Sequence, residues 1–375
     1  MQLIDLHAQQ AHIKDRLDAR IQTVLSHGQY IMGPEVKDLE EKLGQFCGAR
    51  HAITCANGTD ALQLALMAWN IGKGCAVFVP AFTFASSAEV VPQVGAVPFF
   101  VDIDPDTFIL DVESLKRSII HARELGLKPA AVMPVDLFGL PADYDAINPI
   151  ARAEGMVVLG DSAQGFGGID KDRMTGTLAD ITTTSFFPAK PLGCYGDGGA
   201  LFTDKDEWAA MIDSYRIHGK GLEKYENVRI GINSRLDTLQ AAILLEKLAI
   251  FEGEIEKRNQ IAERYSRHLR DFIETPTVPE GRRSVWAQYC LKARNEPQRA
   301  ALMESLKAEG IPTAIYYPKP LNQQPAYKHF PQDPDGCATS EDIARRIFAL
   351  PMHPYLSLAS QDLVIHALKR AVSAL

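Results

Sequence analysis

An apolar run ends abruptly on an acidic residue in the stretch Val157-Val158-Leu159-Gly160-Asp161-Ser162-Ala163-Gln164. A short apolar run with helical patterns on either side is typical of a buried strand in a parallel sheet. Open sheets of this class bind ligands just beyond the carboxyl ends of their strands, which is where Asp161 falls. A carboxylate in that place needs a cation to offset its desolvation, and a protonated pyridine nitrogen would serve; a helix N-cap is the other interpretation.

Short strands alternate with helices on both sides of this stretch. The pattern predicts strands at 51–54, 76–79, 97–101, 130–135, 181–186 and 199–203, and helices that include 82–94, 143–154 and 238–250. Such alternation favours an α/β fold with a mostly parallel sheet covered on both faces. After residue 250 the pattern becomes mixed and rich in proline, so we predict a large domain over 1–250 and a smaller α+β domain over 251–375. Two helices are expected before residue 50, and they could pack against the smaller domain.

Composition excludes several classes of protein. The 39 Lys and Arg residues against 47 Asp and Glu residues give a net charge of −8, which argues against a nucleic-acid binder. The sequence has no apolar run of about 18 residues, which a membrane span would need, and its first residues do not resemble a signal peptide. Six cysteines without a CxxC pair indicate a reduced, cytoplasmic protein without a metal site.

A second motif, Asn57-Gly58-Thr59-Asp60, lies between a predicted strand and a predicted helix. Glycine allows close approach of the backbone, and the N-terminus of a helix offers N–H groups to an anion. Thr59 adds a hydroxyl donor. The motif therefore suits a phosphate, although an ordinary helix cap would have the same appearance.

The third motif runs Ser185-Phe186-Phe187-Pro188-Ala189-Lys190-Pro191-Leu192-Gly193. Its lysine follows a strand directly, among prolines and glycines that would let a bulky cofactor approach. A lysine in a partly dry pocket has a lowered pKa and can form a Schiff base with an aldehyde, whereas an ordinary loop lysine is solvated. Together the three motifs supply a pyridinium partner, phosphate donors and an amine nucleophile.

At these residues the sequence resembles the DegT/DnrJ/EryC1/StrS family of nucleotide-sugar aminotransferases. The resemblance covers essentially the whole chain. Besides the three motifs above, it rests on Gly33-Pro34-Glu35-Val36, Pro80-Ala81-Phe82-Thr83-Phe84, Gly231-Ile232-Asn233-Ser234-Arg235-Leu236-Asp237 and Tyr317-Pro318.

The resemblance implies a pyridoxal 5′-phosphate-dependent fold of type I, with a mostly parallel seven-stranded sheet in the large domain. It implies that Lys190 is the catalytic residue and holds the cofactor. The implied cofactor-binding residues are Gly58, Thr59, Phe84, Asp161, Gln164, Ser185, Lys190 and, from a partner subunit, Asn233. The implied sugar-nucleotide residues are Gly28, Tyr30, Ala189, Arg235, Tyr316 and Tyr317.

Further local motifs, such as His27-Gly28-Gln29-Tyr30-Ile31, favour one substrate within the family. They imply that L-glutamate aminates a UDP-linked 3-keto-2-acetamido-2-deoxy-glucuronate for lipopolysaccharide O-antigen synthesis, in a homodimer with shared active sites. Arg235 offers a fork for the sugar carboxylate. A 3- or 4-keto-6-deoxy nucleotide sugar is the alternative substrate, and a non-catalytic regulator of the same fold is the alternative function. A sugar dehydratase of this fold is disfavoured, because that branch has histidine where this chain has Lys190.

Overall fold

A computed structural model describes residues 1–223 and 225–375. Its helices are α1 Leu6–His27, α2 Pro34–Cys47, α3 Gly58–Ala68, α4 Ser86–Gln93, α5 Val112–Glu124, α6 Tyr144–Ala153, α7 Asp206–Arg216, α8 Thr238–Leu269, α9 Glu296–Ala308, α10 Ala338–Arg346 and α11 Leu358–Ser373. Its strands are β1 His51–Cys55, β2 Cys75–Pro80, β3 Val97–Val101, β4 Lys128–Val132, β5 Val157–Asp161, β6 Ile169–Asp170, β7 Arg173–Met174, β8 Ile181–Ser185, β9 Gly199–Thr203, β10 Arg282–Arg283, β11 Tyr289–Lys292 and β12 Ile347–Leu350. Two short 3-10 helices cover Leu137–Gly139 and Leu321–Gln323.

The central sheet of the described chain has seven strands in the order β1-β9-β8-β5-β4-β2-β3. Strands β3, β2, β4, β5 and β8 are parallel to one another, and β9 is antiparallel to both of its neighbours. The predicted α/β fold with a mostly parallel seven-stranded sheet is therefore confirmed. Because β1 and the parallel strands point the same way, their carboxyl ends meet at one edge of the sheet.

Apolar strands explain why helices cover both faces of this sheet. One buried cluster joins Leu64 of α3 and Val90 of α4 to the sheet, and another joins Ile119 of α5 and Ile147 of α6 to it. Strand residues such as Val77 of β2 have no exposed surface. Removing apolar side chains from water on both faces supplies the main driving force for this layered arrangement.

Helix α8 runs without interruption through residue 250, where we predicted the domain boundary. Its first half packs with α2 through Leu244, and its second half packs with β11, α9 and α11 through Tyr265. The division at residue 250 remains a prediction. Helix α1 lies against α8, where Gln9 Nε2 donates hydrogen bonds of 3.0 and 2.8 Å to the two carboxylate oxygens of Glu254. Within the described ranges, no helix is long and apolar enough to cross a membrane.

Candidate active site

A cavity of about 710 Å³ opens at the carboxyl edge of the sheet. Most of its walls come from the segments that follow β1, β2, β5 and β8, and the C-terminal part of the chain contributes Gln288 and 316–317. Ten of the residues predicted for the site line it together: Gly58, Thr59, Phe84, Asp161, Gln164, Ser185, Ala189, Lys190, Tyr316 and Tyr317. Residues that are far apart in sequence are thus brought together by the meeting of strand ends.

One end of the cavity is built around the N-terminus of α3. Asn57 caps this helix, because its Oδ1 atom accepts a 2.8 Å hydrogen bond from the Asp60 N–H. The hydroxyls of Thr59 and Ser86 share a 2.7 Å hydrogen bond. A Cβ atom on Gly58 would lie only 2.7 Å from Cβ of Ser185, so the close contact requires glycine. Helix N–H groups and hydroxyls of this kind suit a phosphate.

Asp161 is the last residue of β5 and is 5% exposed. Its Oδ2 atom accepts a 2.7 Å hydrogen bond from Ser87 Oγ, and Oδ1 accepts one of 3.2 Å from the Ala163 N–H. Burial raises the pKa of this carboxyl, while the Ser87 hydrogen bond and the nearby Lys190 charge oppose that rise. A buried acid in this state favours a cationic neighbour, and a pyridinium nitrogen meets that requirement.

Lys190 lies in a turn, where its N–H donates a 2.8 Å hydrogen bond to the Phe187 carbonyl. Its side chain lines the cavity with Asp161. Burial lowers the pKa of the Lys190 amine, and the Asp161 charge partly opposes this effect. The lower pKa increases the fraction of neutral amine, which is the nucleophilic form.

Both the oxygen and the nitrogen of the Gln164 side-chain amide form hydrogen bonds within the protein. The Phe138 N–H donates a 2.7 Å hydrogen bond to Gln164 Oε1, and Gln164 Nε2 donates one of 3.0 Å to Tyr317 Oη. The ring of Phe84 lies 6.2 Å from that of Tyr317 and is largely open to solvent. Gln164 and Phe84 therefore both border Tyr317 on the cavity wall.

Four predicted residues, Gly28, Tyr30, Asn233 and Arg235, do not line this cavity. They lie on two neighbouring segments, since Ile31 pairs with Asp237 and the Thr238 N–H donates a 2.9 Å hydrogen bond to the Tyr30 carbonyl. Both segments are on the outside of the chain: Gly28, Tyr30 and Asn233 are exposed, and Arg235 is partly exposed.

Known proteins give an independent comparison for this fold and cavity. The sequence model of the DegT/DnrJ/EryC1/StrS aminotransferase family matches residues 11–369. The chain belongs to this family. The resemblance inferred from the motifs is confirmed, because the match extends over almost the whole chain.

Individual members of the DegT/DnrJ/EryC1/StrS family are also similar. The UDP-2-acetamido-2-deoxy-3-oxo-D-glucuronate aminotransferase of Pseudomonas aeruginosa is 47% identical, over 98% of this chain and 99% of that protein. A solved family aminotransferase from Brucella abortus is 54% identical, with a TM-score of 0.97 and 99% coverage of both chains. A Bacillus subtilis protein solved with bound cofactor PMP is 30% identical, with a TM-score of 0.88, 99% coverage of this chain and 83% of that one.

Three polar residues of this family member's site were missed by sequence reasoning. Ser86 and Ser87 contact Thr59 and Asp161, and Gln288 lines the cavity from the C-terminal part of the chain. The two serines come just after the family motif that ends at Thr83-Phe84, so their proximity to it was a usable signal. Gln288 has no comparable signal, because it reaches the cavity only through tertiary packing.

Proposed function

We propose that this protein is a pyridoxal 5′-phosphate-dependent aminotransferase. It moves the amino group of L-glutamate to a UDP-linked 2-acetamido-2-deoxy-3-oxo-glucuronate, in lipopolysaccharide O-antigen synthesis. The observation that carries the proposal is the placing of Lys190 and Asp161 in one cavity that ends at the α3 N-terminus. The similarity to the Pseudomonas aeruginosa enzyme supports the choice of substrate.

The residues present fit the cofactor. Gly58, Thr59 and Ser185 would hold its phosphate, and the buried acid Asp161 would keep the pyridine nitrogen protonated. When bound, the cofactor supplies an electron sink that lets the amino group pass from donor to acceptor. Lys190 would attach the cofactor through its neutral amine and then carry the proton between carbon atoms of the substrate and cofactor.

The remaining walls would set the orientation of the reacting groups. Gln164 would bind the ring hydroxyl through the amide that Phe138 and Tyr317 hold in place. Phe84 would cover one face of the ring. Ala189, Tyr316 and Tyr317 also line the cavity and would contact the sugar.

A second copy of the chain would complete the site. Among the described residues that line the cavity, Lys190 is the only cation, whereas Asp60, Asp161 and Asp197 are acidic. A sugar nucleotide with a diphosphate and a carboxylate needs more positive charge than this. The chain carries Arg235 outside its own cavity, next to the exposed Asn233.

The surface around these two residues also suits a homodimer. Leu222 and Ile230, in the segment that precedes Asn233, are 99% and 94% exposed. Exposed apolar side chains of this size favour burial against another protein surface. In the proposed dimer, Asn233 reaches the partner's phosphate, and Arg235 binds the carboxylate of the sugar. Gly28 and Tyr30 lie on the segment that pairs through Ile31 with Asp237, which is close in sequence to Arg235, and they would contact the same substrate.

A panel of acceptor substrates tests the function. The holoenzyme is given L-glutamate with either the UDP-linked 3-keto-glucuronate or a 3- or 4-keto-6-deoxy nucleotide sugar, and amination is followed by mass spectrometry. We expect the uronate to be aminated preferentially. Preference for a 6-deoxy sugar would move the assignment to the alternative substrate, and amination of none would favour a non-catalytic regulator.

Arginine variants, assayed on the same acceptor substrates, test whether Arg235 binds the sugar carboxylate. We expect Arg235→Ala to reduce turnover of the uronate by about tenfold or more while sparing a 6-deoxy acceptor, because only the uronate has a carboxylate for the guanidinium. Arg152 on α6 is exposed and lies outside the cavity, so Arg152→Ala is the matched control. Equal losses on both acceptors would reject the carboxylate role of Arg235.

A further inference from the structure

Ser234 lies between the two residues that would enter the partner's site, Asn233 and Arg235. Its side chain has no exposed surface, whereas Asn233 is exposed and Arg235 is partly exposed. Burial alternates along this segment, because Ser234 and Leu236 are buried and Asn233 and Asp237 are exposed. Ser234 therefore faces the interior of its own chain, while the residues beside it are accessible to another molecule.

Two hydrogen bonds hold Ser234 in place. The Ala56 N–H donates a 3.1 Å hydrogen bond to Ser234 Oγ, and the Ser234 N–H donates one of 2.9 Å to the Arg216 carbonyl. Ala56 immediately precedes Asn57, which caps α3 and lines the phosphate end of the cavity. One buried side chain thus links the segment 233–235 to the loop that forms the phosphate end of its own chain's cavity.

Arg216 connects the same two segments a second time. Its Nη1 atom donates 2.6 Å hydrogen bonds to the Thr54 carbonyl and to Glu40 Oε1. The same Glu40 oxygen accepts 2.8 Å hydrogen bonds from the N–H and the hydroxyl of Thr54. Arg216 is buried, so these contacts to a charged group are costly to break. The end of β1 and the Ser234 segment therefore form one hydrogen-bonded unit.

This unit would contribute to two cavities in the proposed dimer. Asn57 lines the chain's own cavity, whereas Asn233 and Arg235 would act in the cavity of the partner. Groups that bind a ligand must be held within roughly 0.5 Å of the productive position, and buried hydrogen bonds behind them provide this support. Resting on the function and the dimer proposed above, we propose that Ser234 is a positioning residue that supports both active sites, its own chain's and the partner's.

Hybrid dimers with one working site test this double role. One chain carries Lys190→Ala, so the working site combines Lys190 of the other chain with Asn233 and Arg235 of the Lys190→Ala chain. Ser234→Ala is placed either on the chain that supplies Arg235 or on the chain that supplies Lys190. Different affinity tags on the two chains allow each hybrid to be purified. Because both hybrids contain the same substitutions, a general loss of stability affects them alike.

The two hybrids should lose different properties. With Ser234→Ala on the chain that supplies Arg235, we expect kcat/KM for the uronate to fall about tenfold at saturating cofactor, because Arg235 is displaced. A 6-deoxy acceptor should change by about twofold or less. With Ser234→Ala on the chain that supplies Lys190, the preference for the uronate should remain. The cofactor concentration that restores half of the activity should instead rise about fivefold, because the Ala56 N–H loses its acceptor.

Amide hydrogen exchange of the cofactor-free protein gives a readout without turnover. In Ser234→Ala we expect exchange to become about tenfold faster in peptides that cover 54–58 and in those that cover 231–236, because the hydrogen bond between the two segments is lost. Ser118→Ala is the matched control, since Ser118 is also buried and its hydroxyl has no hydrogen-bond partner among the described residues. It should leave exchange in both segments unchanged.

Other results would overturn the role of Ser234. Identical kinetics of the two hybrids on both acceptors, or unchanged exchange in either segment, would reject it. Failure of the dimer proposal is recognised separately, because Lys190→Ala and Arg235→Ala chains would then not complement each other, and the role of Ser234 in the partner's site would fall with it. If wild type prefers another acceptor, only the substrate assignment fails, and the exchange measurement, which needs no substrate, still tests Ser234.

Discussion

The hydroxyl of Ser87 donates a 2.7 Å hydrogen bond to Oδ2 of Asp161, and the Thr83 hydroxyl lies 3.1 Å from that of Ser87. Ser87 is on α4 and Asp161 ends β5, so the contact joins two neighbouring segments of the cavity wall. All three side chains are buried. A hydrogen bond to the charged form of a carboxyl favours that form, which offsets part of the effect of burial on the Asp161 pKa.

Replacing Ser87 should change the pH dependence of catalysis. In Ser87→Ala, the Asp161 carboxylate loses a donor, so its pKa rises and less of it is charged at a given acidic pH. We therefore expect the acid limb of the kcat profile to move to higher pH, with Ser87→Thr retaining the wild-type position. Ser118→Ala is the control, since Ser118 is buried on α5 and its hydroxyl has no hydrogen-bond partner in the described chain. A Ser87→Ala profile identical to wild type would reject this role.

Gly58 should not tolerate a side chain. The Cβ atom of Gly58→Ala would collide with Ser185 and displace the α3 N-terminus from the phosphate. Because hydrogen bonds to charged groups contribute about 1.5–3 kcal/mol each, we expect the cofactor affinity to fall by at least about tenfold. Absorbance titration of the cofactor-free protein measures it.

A second glycine provides the comparison for Gly58→Ala. Gly253 is exposed on α8, and a Cβ atom there would meet nothing within 4 Å. Gly253→Ala should leave cofactor affinity unchanged and stabilise the helix by up to about 1 kcal/mol. Equal cofactor affinities for the two variants would contradict the close packing at Gly58.

Mixed dimers test the sharing of active sites. In the proposed dimer, co-expression of Lys190→Ala and Arg235→Ala chains would place both lesions in one site of each heterodimer and leave its other site intact. With random assortment about half of the dimers are mixed, so activity should recover to about a quarter of wild type. If heterodimers form and show no more activity than the two parents, each site is built from a single chain.

The site residues that lie at the carboxyl ends of strands were predictable from the sequence. Asp161 and Ser185 end β5 and β8, and the carboxyl ends of parallel strands must meet at one edge, so pattern alone brought them together. The two serines were harder to place. The pattern predicts a helix over 82–94, but α4 begins at Ser86, so Thr83 lies in the turn before the helix and Ser87 in its first turn.

The C-terminal part was less predictable because the surroundings of its polar residues depend on segments that are distant in sequence. The change of pattern placed a domain boundary at residue 250, whereas α8 continues through that position to Leu269. Glu254 and Arg258 look like surface residues in the sequence but are buried. Glu254 accepts hydrogen bonds from Gln9 and Tyr355, and Arg258 donates to backbone carbonyls. Gln288 depends on the same kind of long-range packing.

Substitutions of Lys190 should separate folding from catalysis. We expect Lys190→Ala to fold with a thermal unfolding midpoint close to that of wild type and to lose amino transfer, because no other lysine lines the cavity in the described chain. Lys190→Arg should also be inactive, since a guanidinium stays protonated and cannot act as a nucleophile. Full turnover by either purified variant would remove Lys190 from the mechanism.

The most direct measurement is the location of the cofactor after borohydride reduction, which makes its link to an amine permanent. Lys247 is the internal control. Burial on α8 lowers the pKa of its amine to about 8, so it too would be reactive, but it does not line the cavity. Peptide mapping by mass spectrometry should find the reduced cofactor on Lys190 and not on Lys247, and Lys190→Ala should carry none. Reduced cofactor on Lys247 or another lysine, or on no peptide of a holoenzyme that is active, would contradict the proposed role of Lys190.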